Sequence, residues 1–158
     1  MKPLNVLFAV ALTVPCQGYA NAESLSGKTI VYTTADGAVT GHIFIGAAGR
    51  VYWSSQSAEF GTNNRGQEFQ IGRNINVNIS GCQSQNSASR SDNQLSLSAV
   101  TACPSLGMNS TDDLTATFSG NSCNLIHSTR ITTTQHGTTS GVNRSDSCRL
   151  SAGNQLAR

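Results

Sequence analysis

Charge is scarce in this chain. Asp, Glu, Lys and Arg make up only 11% of its 158 residues, against roughly a quarter in an ordinary globular protein. Its surface must therefore be built mainly from Ser, Thr, Asn, Gln and Gly. Glutamate is almost missing, with Glu23, Glu59 and Glu68 the only three, and the one adjacent pair of carboxylates is Asp112-Asp113. No acid/base pair announces itself, and the separation that defines a glycosidase pair cannot be read from a linear chain. A formal net charge of +2 leaves no basic patch, which excludes nucleic acid as an expected partner. Gly61-Thr62-Asn63-Asn64-Arg65-Gly66 lacks both the lysine and the glycine spacing of a phosphate loop, and no cofactor is expected. Helical periodicity is nowhere sustained.

Apolar residues concentrate first at the N-terminus. Met1 to Ala22 reads as a secretory signal peptide. Lys2 supplies the positive start, Leu4 to Val14 the apolar stretch, and Ala20-Asn21-Ala22 the small-residue cleavage site. The run is too short for a membrane span, so none is expected in the mature chain. A lipid anchor on Cys16 is the rival, and Pro15 directly before it is a poor context. Cleavage leaves residues 23–158 as a single exported domain, periplasmic or secreted. Losing Lys2 lowers the formal net charge from +2 to +1.

Four cysteines then remain: Cys82, Cys103, Cys123 and Cys148. An even count in an exported chain reads as disulfides. Of the three pairings, Cys82–Cys103 with Cys123–Cys148 closes the two shortest non-overlapping loops and is preferred. Each such loop contributes about 3 kcal/mol on the chain-entropy account. A zinc site is not expected, because no C-x-x-C occurs and Cys123 and His127 lie too far apart along a strand. No other metal is expected either: Asp112, Asp113 and Asp146 lack the ligand spacing of a calcium loop.

The stretch His42 to Trp53 is two short strands around a glycine-bounded loop, with Gly46 and Gly49 available for positive φ. Alternation puts Ile43, Ile45, Val51 and Trp53 inward, and His42, Phe44, Arg50 and Tyr52 outward. Lys28 to Thr34 precedes them across an Asp36-Gly37 turn, which makes a three-stranded meander. Ser55 to Gly66 reads as a loop. Further strands are expected at Glu68–Ile71, Asn74–Ser80, Gln94–Thr101, Leu114–Phe118, Ser122–His127, Arg130–Thr134 and Ser147–Leu150, with a last one at Asn154–Leu156. The polar stretches Gly81–Asn93, Pro104–Asp113 and His136–Ser145 read as loops. Ser122-Cys123-Asn124-Leu125 echoes Ser147-Cys148-Arg149-Leu150, as two strands would that face one another across a disulfide. The expected fold is all-β, an antiparallel sandwich or small barrel with two disulfides.

With Leu25-Ser26-Gly27-Lys28, Ala48-Gly49-Arg50-Val51 and Ser147-Cys148-Arg149-Leu150-Ser151-Ala152-Gly153-Asn154, the chain resembles a loose group of small exported bacterial proteins of unassigned function. The resemblance implies an exported β domain with a bridge near the C-terminus and carries no activity.

No serine stands in a nucleophile elbow, and no motif fixes a role for His42, His127 or His136. Asn78-Ile79-Ser80, Asn109-Ser110-Thr111 and Asn143-Arg144-Ser145 match the glycosylation acceptor pattern, as chance provides in so Asn- and Ser-rich a chain. Binding is the better reading. His42, Arg50 and Tyr52 join a guanidinium, an aromatic ring and an imidazole on one outward face, a composition suited to a glycan or protein partner of the cell envelope. Trp53 is assigned to the core. The alternative is a small secreted hydrolase, or an inhibitor of one. The exported protein is expected to begin at Glu23. Its intact mass checks this, and a species retaining Lys2 or a lipid on Cys16 contradicts it.

Overall fold

A computed structural model describes residues 25–37, 39–57, 67–79, 81–134 and 139–156. The expected signal peptide with Cys16, residues 58–66 of the expected loop, and His136 lie outside the described residues.

Ten strands form one antiparallel sheet: β1 (Lys28–Thr33), β2 (Val39–Ile45), β3 (Arg50–Ser57), β4 (Gln67–Gln70), β5 (Asn74–Ile79), β6 (Cys82–Ser91), β7 (Gln94–Cys103), β8 (Met108–Ser119), β9 (Ser122–Thr133) and β10 (Thr139–Ala152). The sheet order is β4-β3-β2-β1-β10-β9-β8-β7-β6-β5. Every neighbour but one is therefore next in sequence, and the exception, β1 against β10, joins the two ends of the chain. Short turns can make such a meander, and closing it removes unpaired edges. A seam remains between β4 and the β5–β6 hairpin. It is bridged by Gln70 opposite Arg73, by Gly72 N–H donating to Ala88 O at 2.9 Å, and by Asn86 Nδ2 donating to Glu68 O at 2.8 Å. Of the two expected architectures, the nearly closed barrel is the one formed.

Alternation decides which side chains fill the barrel. Ile30, Ile43, Ile45, Val51, Phe69, Leu95, Leu97, Leu114, Ala116 and Leu125 pack together in one half. The His42–Trp53 hairpin has the expected facing: Ile43, Ile45 and Val51 are buried, and Trp53 packs against the core. Its turn differs in one detail. Gly46 is extended, at φ −83°, and the positive φ values fall on Ala48 (54°) and Gly49 (74°). Gly46 serves as a donor instead, from its N–H to Arg50 O.

Three expected loops are strands. Gly81–Asn93 contains β6, paired on both sides by β5 and β7. Its inward residues Ser84, Asn86 and Ala88 are buried. Hydrogen bonds among Ser84, Asn86 and Thr101 satisfy the polar ones, so composition misleads where register rules. Pro104–Asp113 is one 3-10 turn, Pro104–Leu106, followed by β8. His136–Ser145 lies largely within β10 from Thr139 onward. Ser122–His127 and Arg130–Thr134 are not a pair of strands but parts of one, β9. Asn154–Leu156 is no strand. The C-terminal segment crosses the outside of β1, where Thr29 Oγ1 donates to Gly153 O at 2.6 Å and Gln155 N–H donates back to Thr29 Oγ1 at 3.1 Å.

Both expected disulfides are present. Cys82–Cys103 joins β6 to β7 with Cα atoms 4.3 Å apart, and Cys123–Cys148 joins β9 to β10 at 4.8 Å. Cys123 and Cys148 are direct ladder partners, as the echoed motif implied. Disulfides are the mark of an oxidising, exported setting. Replacing either pair by serine is expected to cost about 3 kcal/mol. The Cys123/Cys148 variant should lose more, because both its sulfurs are buried beside Tyr32 and Phe118. Paired thermal melts check this, and equal losses contradict it.

Candidate functional site

The other half of the barrel interior is polar. Register places Tyr32 (β1), Trp53 (β3), Gln67 (β4), Asp112 (β8), His127 and Thr129 (β9), and Arg144 and Asp146 (β10) on inward positions. Trp53 stands opposite Gln67, Asp112 opposite Thr129, and His127 opposite Arg144.

Tyr32 and Trp53 divide the two halves. Tyr32 is fully buried and lies across Gly41, its ladder partner on β2. A Cβ on Gly41 would fall inside the van der Waals envelope of the Tyr32 ring, so only glycine permits this packing. The indole N–H of Trp53 donates to Tyr32 Oη at 2.8 Å. Burial pushes the Tyr32 phenol above its usual pKa, so it stays neutral and keeps a hydrogen of its own to donate. The Trp53 ring meets the His127 imidazole edge-on at 5.6 Å.

Beyond this pair lie two linked polar groups. Thr129 Oγ1 donates to Asp112 Oδ1 at 2.8 Å and lies 2.9 Å from His127 Nε2. With its hydrogen committed to a carboxylate, the hydroxyl can only accept, so His127 carries its proton on Nε2. Arg144 Nε donates to Asp146 Oδ2 at 2.9 Å, and Asp146 is almost fully buried beneath it. The Asp112 and Arg144 side chains nonetheless keep 18% and 28% of their surface exposed, so this end of the interior meets solvent.

Four buried side-chain polar atoms lack a partner among the described residues: Gln67 Oε1, His127 Nδ1, Thr133 Oγ1 and Arg90 Nε. Register puts all four on inward positions: Gln67 and His127 beside Trp53, Thr133 six residues further along β9 opposite Met108, and Arg90 opposite Leu95. A buried, unmet polar group costs about 1–3 kcal/mol, and two beside Trp53, on its ladder partner Gln67 and on His127 against its ring, call for a reason.

The arrangement differs from a hydrolytic relay. There, a carboxylate orients the imidazole through one nitrogen while the other takes the proton of a nucleophilic hydroxyl. Here Thr129 donates to the carboxylate, not to the imidazole, and Asp112 lies 3.5 Å from the same Nε2. No group of three His, Cys, Asp or Glu residues able to hold a metal occurs among the described residues.

The residues singled out by sequence for binding, His42, Arg50 and Tyr52, are all on the outer wall. Arg50 lies beside Tyr52 and near Glu68. Tyr52 stacks on Phe44 at 6.4 Å. His42 stands one ladder step away, opposite Ser54, and partial burial holds its imidazole below the usual pKa. Sequence reasoning did not find the interior set. Composition puts Asp112 with Asp113 in a loop, whereas the strand turns Asp112 inward and leaves Asp113 exposed. The alternation of Leu125, His127 and Thr129 after Cys123 was the signal available. Elsewhere on the outer wall, a shallow groove of ≈ 510 Å³ is lined by small polar residues including Ser87, Ser89, Ser96 and Ser98.

No protein-family model and no curated protein matches this chain. Solved structures resemble it at low identity. A rhizavidin–biotin complex aligns with a TM-score of 0.42 and 10% identity, covering 84% of this chain and 99% of that one. Secretory abundant heat soluble protein 4 from Ramazzottius varieornatus gives 0.42 and 11%, covering 84% and 95%. Short afifavidin with biotin gives 0.40 and 12%, covering 79% and 89%. Similarity at this level passes no ligand from those proteins to this one.

Gly41→Ala is expected to displace Tyr32, break its bond with Trp53 and cost about 1–3 kcal/mol, the usual penalty of overpacking. A lower melting temperature with altered Trp53 emission checks this. Unchanged values of both contradict it.

Proposed function

We propose that this protein is a non-catalytic, exported binding module that holds a small polar molecule at the polar end of its barrel. One observation supports the reading above the others: His127 is 9% exposed and its Nδ1 faces the interior without a partner. A barrel built for stability alone fills such positions with apolar side chains. This one places an imidazole, two carboxylates and a guanidinium there, with Asp112 and Arg144 still in touch with solvent. Small-molecule sites have this character, with apolar and aromatic walls and a few fixed polar groups.

Trp53 is the only tryptophan and touches His127, so its emission reports on the site directly. The mature protein is to be titrated with free amino acids, monosaccharides and short carboxylic acids. At least one solute should change Trp53 emission saturably, and His127→Leu should abolish the response without lowering the melting temperature. If no solute perturbs Trp53, or if His127→Leu responds like wild type, the reading fails.

A second reading keeps the outer wall as a docking surface for an envelope glycan or protein. It is favoured by the exposed Arg50 beside Tyr52 and by the Tyr52–Phe44 stack, which set a cation next to an aromatic surface.

A further inference from the structure

We infer that the polar end of the barrel receives the ammonium head of a small primary amine. The inference rests on the binding reading above and specifies its ligand. It follows from what the unmet groups can do.

Gln67 Oε1 is an acceptor. In the tautomer that Thr129 selects, with its proton on Nε2, the unmet His127 Nδ1 accepts as well. Asp112 adds a carboxylate whose Oδ1 is engaged by Thr129 and whose Oδ2 receives no hydrogen bond from a described residue. These acceptors lie around Trp53: Gln67 is its ladder partner, and His127 meets its ring. A guest that satisfies them must bring several donors on a compact head. An ammonium carries three and accepts none.

Charge points the same way. Arg144 and Asp146 neutralise one another through a 2.9 Å contact. Asp112 is left as the inward carboxylate of this end that no described arginine or lysine meets, with the His127 imidazole 3.5 Å away. A monocation restores balance, and an anion would add to the imbalance. The Trp53 and Tyr32 rings supply the aromatic surface that attracts a desolvated cation. Their position above the apolar half limits depth, so the head group must be small.

The test uses three probes of equal size on the mature protein: n-butylammonium, 1-butanol and butyrate. Trp53 emission and calorimetry are the readouts. n-Butylammonium should bind saturably, and 1-butanol about ten- to a hundredfold more weakly, the span expected when a charge-assisted hydrogen bond is lost. Butyrate should not bind. Asp112→Asn keeps an acceptor for Thr129 and should reduce n-butylammonium to the affinity of 1-butanol. Gln67→Leu leaves the Asp112–Thr129 bond untouched and should weaken the amine alone, which keeps the test valid if Asp112→Asn does not fold. Equal affinity for amine and alcohol, or unchanged amine affinity in both variants, overturns the ammonium assignment. A neutral or anionic solute whose Trp53 response disappears in His127→Leu also overturns it, while leaving the binding site standing. If no solute of any class perturbs Trp53, both fall.

Discussion

The pairing of β1 with β10 is the contact on which the rest of this structure depends. Five ladder positions, from Lys28 opposite Ala152 to Tyr32 opposite Cys148, convert a ten-strand meander into a barrel. Without them both strands would be open edges and the sheet would have no inside. The cost is a loop closure spanning nearly the whole described chain, which rewards the chain only after the intervening strands have formed. Several features reinforce that join. Cys123–Cys148 ties β10 to β9 directly behind Tyr32. The C-terminal segment turns back over β1 and bonds Thr29 and Gly27 from the outside.

Closure also creates two interiors with different chemistry. Aliphatic side chains and Phe69 fill one half and supply the hydrophobic stabilisation. Tyr32 and Trp53 cap that half, joined by a hydrogen bond that satisfies the indole N–H. Past them the barrel carries groups that weaken it if left unmet. Such a division, a stable half supporting a costly half, is how a small barrel presents polar groups in fixed positions without collapsing around them. The low surface charge fits the same pattern: the outer ladders are mainly Ser, Thr, Asn and Gln, while much of the ionisable chemistry of β8, β9 and β10 faces inward.

Much of the architecture could be read from local pattern. The alternation in Asn74–Ile79 and Gln94–Cys103, the Asp36-Gly37 turn and the even cysteine count all acted as expected. The loops that turned out to be strands share one cause. Segments such as Cys82–Ser91 and Met108–Asp113 are strands despite a loop-like composition, because partners on both sides supply their hydrogen bonds. Strand propensity measures fit to a half-buried surface, and neighbours decide that fit.

Strand class, disulfide pairing and the facing of the His42–Trp53 hairpin therefore come from local pattern alone, each set by a period of two or by short-range spacing. Barrel in place of sandwich, and the gathering of polar groups at one end of the interior, come from contacts between distant residues. Asp112, His127 and Arg144 are spread over 33 positions by number, on three different strands. Nothing local links them. They share an inside only because register aligns β8, β9 and β10 and because β10 then closes on β1, and both depend on contacts between residues far apart in the chain.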